Sequence, residues 1–242
     1  MNTTYILPYY HSYHNFNLLR EITKSLLIIK EIDVLIVEVG KDSHISNYDF
    51  MCRKIFLESE NWNLSWIYNT AMQYVKTEYV ILSNLSIIPN TEILNISIDK
   101  CSKKEMSTPI YLCESVVHLD REESMTMKFD SATKEKVPVI DTLYALYNRV
   151  DFEKYMGWDE NLYGEDMYKF QSYKYHKVFN RIDKSDSFVY LLDVDKMSSD
   201  SENSSKHLEK LMELDDKKLS NYLNATYKRI GQSNKYHVVN VQ

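Results

Sequence analysis

Trp62-Asn63-Leu64-Ser65-Trp66-Ile67-Tyr68-Asn69-Thr70-Ala71 and, a few residues later, Tyr79-Val80-Ile81-Leu82-Ser83-Asn84-Leu85-Ser86-Ile87-Ile88-Pro89 decide the fold. The first stretch reads as a helix running to Val75. The second opens as an apolar strand, Glu78 to Ser83, that stops at a polar tripeptide, Asn84-Leu85-Ser86. The residues before this pair supply the rest of a βαβ pattern. Thr4 to Pro8 is a short strand; Phe16, Leu18, Leu19, Ile22, Leu26, Leu27 and Ile29 recur at roughly helical spacing. Asp33 to Val39 is a mostly apolar strand ending at Gly40, and Lys54 to Leu57 is a further short strand. Strands of this kind, apolar on both faces and alternating with helices, belong to parallel sheets covered on both sides. The expected fold class is therefore α/β, with a mostly parallel central sheet flanked by helices. In such sheets ligands sit beyond the carboxyl ends of the strands. Glu38 to Ser43 and Asn84 to Ser86 both fall there.

The remainder continues the pattern with strands at Thr108 to Leu112, Ser124 to Phe129 and Leu143 to Asn148, and a short helix from Asp151 to Met156. A loop, Gly157 to Gly164, leads into a helix over Glu165 to Tyr175, whose acidic first turn suits the positive end of the helix dipole. Strands at Lys177 to Ile182 and Ser187 to Leu192 come next. Met197 to Ser205 is mostly Ser, Asp, Glu and Asn, which marks a linker. Leu208, Leu211, Met212, Leu219, Tyr222 and Leu223 then fall at helical spacing, interrupted by Asp215. The expected organisation is one domain over 1–196, a flexible linker over 197–205, and a helical extension over 206–242 that packs on the domain. The rival reading, lysines of the extension facing an anionic membrane, is opposed by the acids interspersed among them.

Composition narrows the function classes. A chain of 242 residues with 44% hydrophobic and 26% charged content can bury a sizeable core and is ordinary for a soluble protein. Only 4 glycines are present, and neither GxGxxG nor GxxxxGK[ST] occurs, which lowers the case for dinucleotide-binding and P-loop enzymes. The 20 tyrosines suit a cleft that stacks on sugar or base rings, or equally reflect an AT-rich genome. A net charge of −6 argues against nucleic acid as a partner. No window approaches a membrane span and the N-terminus lacks a signal-peptide pattern, so a cytoplasmic protein is expected, with peripheral membrane association at most, at the inner face. The 3 cysteines lack metal-like spacing and read as reduced structural thiols. His11 and His14 read as solvated, and His44 and His207 as lacking matching partners.

Trp62-Asn63 followed by Asn69 resembles the Phe-Asn-x-x-x-x-x-Asn helix of the galactosyltransferase and chondroitin-polymerase-like families. Ala145 to Phe152, continuing through Gly157-Trp158-Asp159-Glu160-Asn161-Leu162-Tyr163-Gly164-Glu165-Asp166, is similar to their acceptor-side signature, a Gly-Phe-Asp-Glu loop leading to Gly-Glu-Asp at a helix start. With the strand ending in Asn-Leu-Ser, these blocks occur in the families' order over roughly residues 4 to 195. The resemblance implies a GT-A fold and transfer of a sugar, with inversion, from a nucleotide donor expected to be UDP-linked. The acceptor is expected to be a glycan or glycolipid in surface polysaccharide synthesis. An inverting transferase needs a carboxylate within reach of the attacking hydroxyl. Asp166 matches the families' base and Glu165 its neighbour; two acids that merely cap a helix are the alternative. The resemblance places Trp158, Asp159 and Tyr163 at the acceptor. It places Pro8, Tyr9, Glu38, Asp42, Asn63, Asn69, Asn84 and Ser86 at the donor, with Glu38 as a simple polar strand end being the competing account.

One element departs from the families. Their Asp-x-Asp, which grips a divalent metal and the donor diphosphate, reads Asn84-Leu85-Ser86 here, and a late His-x-x-His-like segment is replaced by Val189 to Asp195. Neutral amide and hydroxyl oxygens are poor ligands for Mn²⁺ or Mg²⁺. No firm metal site is expected, a weakly held Mn²⁺ or Mg²⁺ at most, on Asp193 or Asp195 with help from Asn84, and a solvated strand end is the favoured account of those two acids. Without metal the leaving diphosphate would need fixed cations, for which Arg149, Lys41, Lys196 and Lys206 are candidates. Failing that, the domain would bind a sugar nucleotide or glycan without turning it over, or serve as a partner subunit.

Overall fold

A computed structural model describes residues 2–48, 51–103, 110–118, 134–136, 144–154, 157–178, 183–192, 203–227 and 238–241. In chain order these form β1 (Thr3–Tyr10), α1 (Tyr13–Leu27), β2 (Ile32–Gly40), a 3₁₀ turn (Ile45–Asn47), β3 (Arg53–Glu58), α2 (Leu64–Met72), β4 (Tyr79–Leu82), β5 (Ile87–Pro89) and α3 (Thr91–Lys103). After these come β6 (Ile110–His118), β7 (Lys134–Lys136), β8 (Ala145–Asn148), α4 (Arg149–Lys154), α5 (Gly164–Val178), β9 (Asp183–Leu191), α6 (Ser204–Met212), α7 (Asp216–Tyr227) and β10 (Val238–Val241). The strands make one sheet in the order β10-β3-β2-β1-β4-β8-β6-β9-β5, with β7 on β6.

The centre of the sheet is the parallel set β3-β2-β1-β4, in which Tyr5 faces Val34 on one side and Ile81 on the other. β8 runs antiparallel between β4 and β6, and β9 runs parallel to β6. Alternation along β1 sends Tyr5, Leu7 and Tyr9 to one face and Ile6 to the other, and a separate core forms on each. Leu18, Leu19, Ile22 and Leu26 of α1 and Ile93 and Leu94 of α3 close the first face. Trp66, Ile67, Ala71 and Met72 of α2, Met167 and Phe170 of α5, and Leu208, Leu211 and Leu219 of α6 and α7 close the second. Burying each such side chain stabilises the fold by about 1.5–3 kcal/mol relative to exposure, so both helical layers are held by apolar area.

The α/β class with a parallel core flanked by helices is as expected, and several elements differ in detail. α3 is an addition to the expected elements; Asn90 caps it, its Oδ1 accepting from the Ile93 amide at 2.8 Å. α5 runs on to Val178, where a strand is expected from Lys177. The C-terminal segment is two helices and a strand: α6 ends at Met212, and Asp215 caps α7, its carboxylate accepting from the Lys218 amide at 2.8 Å. β10 pairs antiparallel with β3, so the extension is not wholly helical. The expected strand at Ser124 to Phe129, residues 179–182, Asp193, Asp195, Lys196 and most of the expected linker lie outside the described residues. Among the described residues, no helix is long and apolar enough to cross a membrane.

Candidate active site

α2 is the hub of the site. Asn63 caps its first turn, Oδ1 accepting from the Trp66 amide at 2.9 Å, while its Nδ2 donates to the Glu160 carbonyl at 2.7 Å. Two turns on, Asn69 is buried with both ends of its amide engaged. Nδ2 donates to the Trp158 carbonyl at 2.8 Å and to Glu160 Oε1 at 3.0 Å, and Oδ1 accepts from the Trp158 amide at 2.9 Å. The two asparagines, expected on the donor side, thus clamp the Gly157–Glu160 loop as a short strand partner would. Gly157 permits this: its φ is +55°, and a Cβ there would lie 2.5 Å from Asn69 Oδ1. Beneath the loop, Lys174 of α5, 1% exposed, donates Nζ–H to the Gly157 carbonyl at 2.6 Å. Burial pushes its ammonium down to about 7, with the Asp159 charge opposing.

The residues expected on the acceptor side fall into two groups. Trp158 is 3% exposed, its ring packed 5.9 Å from that of Tyr68 and 5.6 Å from that of Tyr168, so it supports the loop from below. Asp159 is likewise buried. Its Oδ1 accepts from the Asn161 amide and Nδ2, while Oδ2 accepts from Tyr222 Oη at 2.5 Å and lies 3.2 Å from His207 Nε2. Burial works against its ionisation, but these bonds outweigh it and hold the carboxyl below its usual range. Its neighbour Glu160 is shifted the other way, upward, by burial and by the charge of Asp159. Tyr163, Glu165 and Asp166 are more open. The Tyr163 amide donates to Ser204 Oγ at 3.0 Å, Glu165 pairs with Lys169 at 3.1 Å, and Asp166 Oδ2 accepts from Ser205 Oγ at 2.9 Å at the start of α5.

The expected donor residues lie at the carboxyl ends of β1, β2 and β4. Glu38 is 0% exposed, and its carboxylate accepts from Ser43 Oγ at 2.7 Å and from the His44 amide at 2.9 Å, with the Ile45 amide behind. It shapes the loop after β2 from within rather than presenting a free carboxylate. Pro8 and Tyr9 are buried, and Tyr9 Oη is hydrogen-bonded to His11 Nδ1 at 2.6 Å. Burial, then the Glu38 charge, raises the Tyr9 phenol. His11 stacks on His44 at 3.8 Å between centroids, a pairing the sequence does not suggest because the residues are far apart in the chain. Burial and His44 together lower the His11 imidazole. His14, expected to be solvated, is buried. Asp42 is exposed.

Asn84 and Ser86 close on each other. Asn84 Oδ1 accepts from the Ser86 amide at 2.8 Å and also from Ser86 Oγ. The Ser86 carbonyl accepts from the Leu192 amide at 2.6 Å, tying the turn to the end of β9. Tyr68 Oη donates to the Ser83 carbonyl at 2.7 Å, linking α2 to this turn. The side chains of this turn thus offer only neutral oxygens, of which Asn84 Oδ1 is already engaged by Ser86, and such oxygens are poor ligands for a divalent metal. Of the proposed cations, Arg149 lies at the wrong end: its amide donates to the Glu78 carbonyl and its Nε to the Thr77 carbonyl, at the amino end of β4. β8 is antiparallel to β4, so the chain leaves β8 at the end of β4 remote from Asn84. Lys41, after β2, is at the correct edge and pairs with Glu60 at 2.8 Å.

A parallel β3-β2-β1-β4 core, with β8 reversed and the candidate residues at its carboxyl edge, is a GT-A-like glycosyltransferase fold. Two crystal structures of S. aureus TarS share it. One, of residues 1-349, has a TM-score of 0.58 at 14% identity over 97% of this chain and 73% of that one. The other has a TM-score of 0.59 at 15% identity, again over 97% of this chain, which spans 44% of that longer structure. A mannosyltransferase from Pyrobaculum calidifontis, in complex with GDP-Man and Mn²⁺, gives a TM-score of 0.47 at 13% identity over 97% of this chain and 76% of that one. No protein-family model and no curated relative matches the sequence.

Proposed function

We propose that the protein is an inverting glycosyltransferase that moves a sugar from a nucleotide donor, UDP-linked, to a glycan or glycolipid acceptor in surface polysaccharide synthesis at the cytoplasmic face of the membrane. The observation that carries this reading is the clamp of Asn63 and Asn69 on the Trp158–Glu160 loop, which feeds directly into Glu165 and Asp166 at the start of α5. Such a clamp fixes where the carboxylates stand, as a general base requires. Asp166 is the base: Ser205 engages Oδ2 and orients the carboxylate so that Oδ1 can take the proton of the attacking hydroxyl. Glu165 and Tyr163 face the acceptor, and Trp158 and Asp159 hold them from beneath. On the donor side Pro8, Tyr9, Glu38 and Asp42 shape the nucleoside pocket, and Asn84 and Ser86 lie beside the diphosphate, whose developing charge is met by Lys41 and backbone dipoles without metal.

One observation favours a second reading, a domain that binds a sugar nucleotide without turning it over: Asn84 Oδ1 is engaged by the Ser86 amide and hydroxyl rather than left open to a ligand. Calorimetric titration with UDP, in EDTA and then with Mn²⁺, followed by assay of UDP-sugars with Asp166→Asn, separates the two. The transferase reading expects binding in EDTA and a turnover that falls by about 10²–10⁴-fold in Asp166→Asn with UDP affinity within a few-fold. Binding with no turnover from any UDP-sugar selects the second reading, and failure to bind UDP, GDP, CMP or dTDP defeats both.

A further inference from the structure

We infer that the α6–α7 hairpin is a latch that fixes the acceptor-side segment 157–166, with Ser204, Ser205, His207 and Tyr222 as positioning residues for Tyr163, Asp166 and Asp159. That this segment receives an acceptor rests on the proposed function; that the hairpin fixes it does not.

Three polar connections join the hairpin to the segment, and each ends on a residue of the acceptor-side signature. Ser204 Oγ accepts the Tyr163 amide, Ser205 Oγ donates to Asp166, and His207 and Tyr222 converge on Asp159. The third connection draws on both helices at once. Tyr222 Oη–H donates to Asp159 Oδ2, and His207 Nε2 lies 3.1 Å from Tyr222 Oη and 3.2 Å from the same carboxylate oxygen. A carboxylate oxygen only accepts, so the consistent assignment puts the proton on Nε2, shared between the two oxygens. With Oδ1 taken by Asn161, the Asp159 carboxylate is saturated and acts on the loop rather than on a ligand.

Adhesion alone does not call for these groups. Leu208, Leu211 and Leu219 already anchor both helices in the core. A buried carboxylate contributes little net stability compared with an apolar residue of the same volume, because desolvating it offsets its attractions. Directed bonds do what apolar packing cannot: they admit one placement of the loop. Ser204 is itself buried, so its bond to the Tyr163 amide is held out of competition with water.

Amide hydrogen exchange reads the latch without any assay of sugar transfer, because the Asn161 and Tyr163 amides are themselves bonded partners. In the full chain, Tyr222→Phe, which keeps the ring and removes only the hydroxyl, and Ser204→Ala are expected to speed exchange over 157–163 by tenfold or more and leave β1 and β2 unchanged. His207→Gln, which retains a donor near the Nε2 position, is expected to stay within about threefold of the parent, whereas His207→Leu behaves like Tyr222→Phe. In Tyr222→Phe, Ser204→Ala and His207→Leu acceptor KM rises and donor KM holds, while His207→Gln keeps both. Unchanged exchange over 157–163, or faster turnover in Tyr222→Phe, overturns the latch. Raised exchange in a protein that binds no nucleotide keeps the latch and removes the transferase reading.

Discussion

The loop at 157–166 and the turn at 84–86 are both tied to α2 but are built in opposite ways. The first is braced by side chains far away in sequence: Asn63 and Asn69 reach it across separations of 97 and 89 residues, and Tyr222 and Ser205 across 63 and 39. In the second, as in the loops after β1 and β2, the side-chain hydrogen bonds run mainly to neighbours, although the Ser86 carbonyl also accepts from Leu192. Asn84 bonds Ser86 at a separation of 2, Tyr9 bonds His11 at 2, and Glu38 gathers Ser43, His44 and Ile45 at 5 to 7. A locally closed turn can exchange its polar residues while the rest of the fold stands. A loop held by side chains from three distant elements cannot lose one brace without disturbing the others. The residues of the 157–166 loop are therefore expected to act as one unit, whereas Asn84-Leu85-Ser86 is shaped mainly by its own short-range bonds.

The contrast is broken most severely at Asn69. Asn69→Leu keeps the number and branching of side-chain heavy atoms but leaves the Trp158 amide and carbonyl buried without these partners, each at a cost of about 1–3 kcal/mol, so urea unfolding should show a loss of about 4 kcal/mol. Gly157→Ala acts from the other side of the same contact, through its positive φ and the 2.5 Å approach to Asn69, and should cost about 3 kcal/mol. A loss below about 1 kcal/mol in both would mean that the loop is not held by this clamp.

Much of this architecture is legible in the sequence because the central strands are buried on both faces, and unbroken apolar runs such as Val34 to Val37 or Tyr79 to Leu82 need no partner to be recognised. α3 is also readable, from Asn90 followed by Ile93, Leu94 and Ser97, but the polar residues between them mask the stripe. β10 is not readable: four residues, Val238 to Val241, become a strand only because they pair with the edge of β3. At the site, the residue types are visible and their duties are not. Asn63 and Asn69 look the same in sequence whether they meet a ligand or a loop, and Asp159 gives no hint that two helices beyond residue 203 will meet it.

Lys174 sharpens the comparison with a pH measurement. Burial lowers its ammonium from 10.5 to about 7 in the folded protein, so between those values the unfolded chain binds the extra proton and native stability rises with pH. Below about 7 both states are charged and the full cost of burying the ammonium remains. Relative to Lys174→Met, the parent should gain about 2 kcal/mol between pH 7 and pH 9 in urea titrations at the two values. A parallel pH dependence in the two proteins would show that the ammonium under Gly157 is hydrated rather than buried. No such dependence on Lys174 is expected of the 84–86 turn.

The smallest effect belongs to that turn. Asn84→Ala removes the acceptor of the Ser86 amide and hydroxyl, both close to solvent, while the Asn84 carbonyl keeps its bond from the Ile87 amide and the Ser86 carbonyl its bond from Leu192. The backbone of the turn is thus held without the side chain, and the expected loss is about 1 kcal/mol or less. If the turn lies beside the donor diphosphate, the same substitution should weaken UDP binding by more than this stability change implies, since the side chain would be lost as a ligand contact and not only as a brace. Equal, small changes in both quantities would place the diphosphate elsewhere along the carboxyl edge, toward the loop after β2, where Lys41 stands.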